Sequence, residues 1–163
     1  MPKTYRMTKD GKLIEGIFQG DTINTPSMLC VEDYIDALKR AEEIGGLPAL
    51  IRRADANVAV LARGIEKSGW AAFLAASPRA RSNTSVCLKI TDAWFTGLKK
   101  EEQAAAAAKV ASVIEKEGVA FDIGGYRAAP PGLRIWCGAT VDSADVEALV
   151  PWLDWAFAQV KQG

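Results

Sequence analysis

Two short segments carry the side chains best placed to do chemistry, INTPSML at residues 23–29 and APPGLRIWCG at residues 129–138. In the first, Asn24 and Thr25 set an amide and a hydroxyl ahead of Pro26, where the pattern predicts a helix start with Thr25 as N-cap and proline at the first helical position. The first amides of a helix point outward without partners and carry partial positive charge, so with these side chains they suit a phosphate or carboxylate. The same residues also suit an ordinary cap with an Asx-type turn. In the second segment Arg134 stands mid-strand, opposite in face to Leu133 and Ile135. A guanidinium there can fork onto a carboxylate, because its planar donors match two oxygens at once. The alternative is a surface arginine paired with a nearby acid. Both alternatives stay open on the residues alone.

Other chemistries are closed off quickly. The 163 residues include no histidine, which removes Ser-His-Asp triads, Cys-His pairs and His-based metal sites together. Cys30, Cys87 and Cys137 form no CxxC pair and lie among apolar neighbours, so packed thiols in a reducing compartment are expected and no metal ligand set is present. A thiol enzyme lacks a histidine to activate it. Gly124-Gly125 precedes no phosphate-loop lysine and is read as a loop. Glu101 and Glu102 at a helix start complement its dipole, Asp142 and Asp145 read as a capping pair, and Trp152 and Trp155 read as packing residues.

Twenty basic residues balance twenty acidic ones, so nucleic acid is not an expected partner. No apolar run reaches the length of a membrane span and the amino end lacks a signal-peptide core, so a cytoplasmic protein is expected.

The elements that must position Asn24, Thr25 and Arg134 follow from periodicity. A short strand or hairpin is expected near 12–18. A helix follows from 25 with Leu29, Tyr34, Leu38, Ala41 and Ile44 in register, and another opened by Pro48 carries Leu61 and Ile65 to Gly69. Alternation predicts strands at Val86–Ile90, Val119–Ile123 and Leu133–Cys137. An alanine-rich helix lies between the first two, and a last helix from Asp142 or Ser143 contains Pro151, which should kink it. The pattern is a single α+β domain over 1–163, with a small, mostly antiparallel sheet and helices packed on one face.

INTPSMLCVEDYIDALK, RSNTSVCLKI and DIGGYRAAPPGLRIWCGATV, in this order and spacing, resemble the C-terminal part of phosphoserine aminotransferase, in the branch of alphaproteobacteria and some archaea. The likeness runs from about Lys3 to Val160. It implies the C-terminal domain of the aspartate-aminotransferase-like fold, with residues 1–23 leading in from a cofactor domain. It further implies pyridoxal phosphate as cofactor and a homodimer. The reaction implied takes the amino group of glutamate to 3-phosphohydroxypyruvate, giving O-phosphoserine for serine and, in some members, vitamin B6 synthesis. Asn24 and Thr25 match the pair that reaches the cofactor phosphate of the other subunit, and Arg134 matches the arginine holding the substrate α-carboxylate. Arg81 falls in a matching stretch without an assigned role. The lysine that holds the cofactor lies before the matching region, so Lys3, Lys9 and Lys12 are not candidates and the chain alone is expected to be inactive. The rival expectation is a free-standing α+β binding or interaction module without chemistry.

Overall fold

The structure, a computed structural model, describes residues 8–22, 25–126 and 128–163. It divides into two compact units, Met1–Ile44 and Gly45–Gly163.

In the first unit, strands β1 (Thr8–Lys9) and β2 (Lys12–Leu13) pair antiparallel around Asp10 and Gly11, both left-handed at φ 51° and 74°. Two successive positive φ angles make the tight hairpin turn whose twist matches the strands. The hairpin therefore sits earlier than expected, and Glu15–Gln19 is a 3-10 helix in place of a strand. Helix α1 spans Met28–Glu43. Its N-cap is Ser27 and not Thr25: Ser27 is extended and its carbonyl accepts the first helical bond, from Val31 N–H at 3.1 Å. Hydroxyl residues flank Pro26 on both sides, and the second one takes the cap. Helix α1 buries none of its side chains, so Cys30 is exposed where a packed thiol was expected.

The second unit begins with α2 (Gly46–Ser68), two residues ahead of Pro48. The proline sits in the first turn, where a missing N–H costs no helical bond. Strands β3 (Ala71–Phe73), β4 (Ser85–Ile90) and β5 (Gly132–Trp136) form an antiparallel sheet in that order. Helices α3 (Ala93–Thr96) and α4 (Lys100–Lys116) lie between β4 and β5, and α5 (Ser143–Gln162) follows β5. Strand β3 escaped the sequence reading because two of its three residues are alanine, too small to show an apolar alternation.

Alternation sorts the sheet into two faces. Val86, Leu88 and Ile90 share one face with Leu133 and Ile135, and all five are buried. They join Leu61, Ile65, Val110, Ile114, Leu153 and Phe157 of α2, α4 and α5 in one core. Trp70 stacks on Phe157 with ring centroids 4.4 Å apart and donates Nε1–H to Asp154 at 2.7 Å. Close approach needs small residues at two places. A Cβ on Gly64 would lie 2.5 Å from Val150 of α5, and one on Gly132 would strike the Leu88 carbonyl across the ladder.

The stretch 119–123 is not a strand. Asp122 is left-handed at φ 54°, which ends any extended run, and only its successors reach the sheet. Ile123 O accepts Arg134 N–H at 2.8 Å, and Gly124 bridges Leu133.

Candidate functional site

The opposite face of the sheet carries Lys89, Cys87 and Arg134, with Cys87 and Arg134 directly paired across β4 and β5. Arg134 leaves the core by alternation alone. Leu133 and Ile135 on either side are buried, while the arginine side chain keeps 30% of its surface exposed. Its position is fixed from both edges of β5, by the β4 ladder and by the Ile123 carbonyl.

Arg134 lines a cleft of about 450 Å³ between the 119–123 stretch, β5 and the first turns of α5. Ile123, Ile135, Val146 and Leu149 supply apolar wall, and Asp122 and Asp145 supply carboxylates. Among the described residues the side-chain partner of Arg134 is Asp122, with Nη2 2.7 Å from Oδ2. This partner lies 12 positions away on an irregular stretch, where no local pattern marks it. A concave, mostly apolar wall with one cation suits a small anionic ligand.

The strand end beyond Arg134 is clamped by α2. Asn57, 1% exposed, donates from Nδ2 to the carbonyls of Cys137, Gly138 and Val141 at 3.0–3.2 Å, and accepts from Ser143 Oγ at 2.7 Å. Arg53 donates to Ala139 O at 3.0 Å and pairs with Asp142. Asp142 is thus the N-cap residue of α5 by position, but its side chain serves Arg53 and makes no cap bond. Neither Arg53 nor Asn57 was singled out from sequence, because both are embedded in a helical apolar stripe and their partners lie 80 or more residues on.

Thr25 is exposed and belongs to the first unit; Asn24 lies outside the described residues. The Ser27 side chain makes no cap bond to the first turn of α1, and among the described residues no side chain is seen to cap it. Arg81 lies over the Phe73 ring at 4.2 Å from its centroid and donates to Ala75 O at 3.3 Å, holding the loop between β3 and β4. Trp152 and Trp155 pack edge-to-face on each other at 5.4 Å, each still partly exposed. Glu102 accepts the Lys99 N–H at 2.9 Å, closing the start of α4.

Burial pushes the Cys137 thiol up to about 11, so it stays protonated at neutral pH and is a poor nucleophile. Among the described residues no group of His, Cys, Asp and Glu is arranged to hold a metal ion, and no helix is long and apolar enough to cross a membrane.

The second unit is therefore an α+β sheet with helices on one face and an anion-competent arginine on the other. Known proteins place it further. The chain is 48% identical over 161 residues, 99% of its length, to the phosphoserine aminotransferases of Methanosarcina barkeri and Methanosarcina mazei. It spans 41% of the length of each. No family model matches it. Its fold is that of part of solved phosphoserine aminotransferases, an aspartate-aminotransferase-like fold. With the enzyme from Bacillus circulans subsp. alkalophilus the TM-score is 0.66 at 22% identity, over 86% of this chain and 35% of that one. With a phosphoserine aminotransferase studied for radiation damage of its Schiff base it is 0.68 at 18% identity, over 92% and 38%. The chain is similar to phosphoserine aminotransferase along nearly its whole length.

Proposed function

We propose that this chain forms the part of a phosphoserine aminotransferase that grips the substrate carboxylate and contributes to the cofactor site. The observation carrying this reading is Arg134, held by strand pairing on the face of the sheet opposite the helical core, in the lining of a cleft. The substrates would be glutamate and 3-phosphohydroxypyruvate, and the work would be done in a cytoplasmic homodimer. Serine synthesis is the pathway served, with vitamin B6 synthesis a second outlet.

Each substrate has an α-carboxylate, and Arg134 would take it with two parallel N–H···O bonds, fixing the direction of the Cα substituents. Ile123, Ile135, Val146 and Leu149 would give the ligand an apolar wall beside that pair. Pyridoxal phosphate, when bound, supplies the electron sink for amino-group exchange. The residue types suit its phosphate: Asn24 and Thr25 would offer an amide and a hydroxyl, and the first turn of α1, to which Ser27 gives no cap bond, would offer backbone N–H groups. The cofactor-holding lysine would come from outside this chain.

The test is expression of the gene's complete reading frame, assayed for glutamate-dependent conversion of 3-phosphohydroxypyruvate to O-phosphoserine. Turnover is expected, and Thr25→Ala is expected to loosen the cofactor while leaving substrate recognition intact. A protein that binds no pyridoxal phosphate and yields no O-phosphoserine overturns the reading in favour of a binding module.

A further inference from the structure

We propose that Asp122 is an internal counter-ion that occupies Arg134 until an incoming carboxylate displaces it, and so sets the affinity of the cleft for carboxylates. The inference deepens, and rests on, the reading of Arg134 as a carboxylate anchor.

The pair is built asymmetrically. Arg134 projects from a strand held on both edges, and its side chain is 30% exposed; the Asp122 side chain is 89% exposed. The contact is single-pronged, Nη2 to Oδ2 at 2.7 Å, and uses one donor of a group that has five. A free carboxylate arriving from the cleft presents two oxygens to the same plane. It gains the forked geometry that Asp122 does not reach. Ion pairs with an exposed member are weak, so exchange carries little penalty.

The backbone keeps Asp122 in reach after displacement. Its φ of 54° is a left-handed conformation, adopted by aspartate far more readily than by most side chains. The next two residues are pinned to β5, Ile123 through the Arg134 amide at 2.8 Å and Gly124 through its bridge to Leu133. The carboxylate is therefore tethered one residue from a backbone group bonded to the strand, and returns when the ligand leaves. Charge balance points the same way. Of the residues lining the cleft, Arg134 is the cation and Asp122 and Asp145 are the anions. Neutralising Asp122 leaves Arg134 with a single competing acid, and carboxylates should then bind more tightly.

Acetate and glutamate titrated into the 163-residue chain, followed by the backbone amide resonances of Ile123 and Ile135, test this. Wild type, Asp122→Asn, Asp122→Gly and Arg134→Lys are compared. Asparagine and glycine both accept a positive φ, so the backbone of the stretch is kept. Both Asp122 variants should bind acetate about two- to fivefold more tightly than wild type, the range that a weak exposed pair can contribute. The gap should narrow at high salt, and Arg134→Lys should weaken binding in every background. Unchanged acetate binding in Arg134→Lys, or no acetate binding in any variant, refutes Arg134 as the anchor. Loss of binding in Arg134→Lys alongside wild-type affinity in both Asp122 variants refutes the counter-ion alone.

Discussion

Strand β5 has two faces built to different rules. Leu133 and Ile135 face the helices, are buried, and touch a core drawn from α2, α4 and α5. Arg134 and Trp136, one residue out of phase, face away; Arg134 meets Asp122 across a 2.7 Å contact and Trp136 donates Nε1–H to Thr140 at 2.8 Å. A strand reverses its side chains at every residue, so a single pairing register sets both faces. The core face thereby holds the guanidinium in place without touching it. On the proposed reading of Arg134, stability and recognition can then be damaged separately, although the residues responsible are neighbours.

The largest effect should come from the covered face. Leu133→Ala removes a fully enclosed side chain and is expected to cost about 2–5 kcal/mol, read as a shift in the denaturant midpoint at unchanged slope. Loss below about 1 kcal/mol would show that the helices do not close over β5 as described.

Asn57→Ala should come next. It strips the shared donor from the carbonyls of Cys137, Gly138 and Val141 and orphans Ser143 Oγ. Leaving buried acceptors unpaired costs about 1–3 kcal/mol, again in denaturant unfolding. Because this clamp lies beyond Arg134 and not under it, carboxylate affinity in the folded variant should change less than stability does.

The rim gives the smallest effect and a pH signature. Asp92 caps α3 through Trp94 N–H at 2.8 Å and receives Lys161 Nζ at 2.9 Å. The Lys161 hydrogen bond, chiefly, holds its carboxyl below the usual value against the opposing effect of burial. A lowered folded value means the stabilisation is complete above the unfolded value near ~3.9 and is lost as pH falls through the folded one. Asparagine keeps the cap but loses the charge facing Lys161, so Asp92→Asn should cost at most about 1 kcal/mol at neutral pH, the scale of a partly exposed ion pair. The gap to wild type should close on acidification below about pH 4. A gap that stays constant from pH 7 to pH 2 would remove the Lys161 contact from the account.

Legibility followed the range of the interactions. Strands β4 and β5 and the long helices could be read because alternation and helical spacing are properties of a few adjacent residues. Arg134 stood out for the same reason, as a cation in an apolar run. The 119–123 stretch misled because Val119, Phe121 and Ile123 alternate as a strand does, while the left-handed Asp122 between them ends the extension. Thr25 and Ser27 flank one proline, and local sequence does not choose between them as the cap. Asn57 and Asp122 were invisible because their partners are set by tertiary structure, at separations of 80 and 12 residues. An arginine in an apolar strand suits a ligand carboxylate or a neighbouring acid equally well on local sequence, and only the resemblance separates the two.

On the proposed reading, Arg134 recognises carboxylate while its neighbours hold the fold. Arg134→Lys in the complete gene product, with kinetics and melting temperature measured on one preparation, tests it most directly. Lysine keeps the charge and loses the fork, a change of about 1.5–3 kcal/mol for hydrogen bonds to charged groups. The expected result is a rise of about ten- to hundredfold in KM for both glutamate and 3-phosphohydroxypyruvate, with cofactor binding and melting temperature unchanged. Unchanged KM for both substrates, or a fall in melting temperature that accounts for the lost activity, would make Arg134 a structural residue and not a carboxylate anchor.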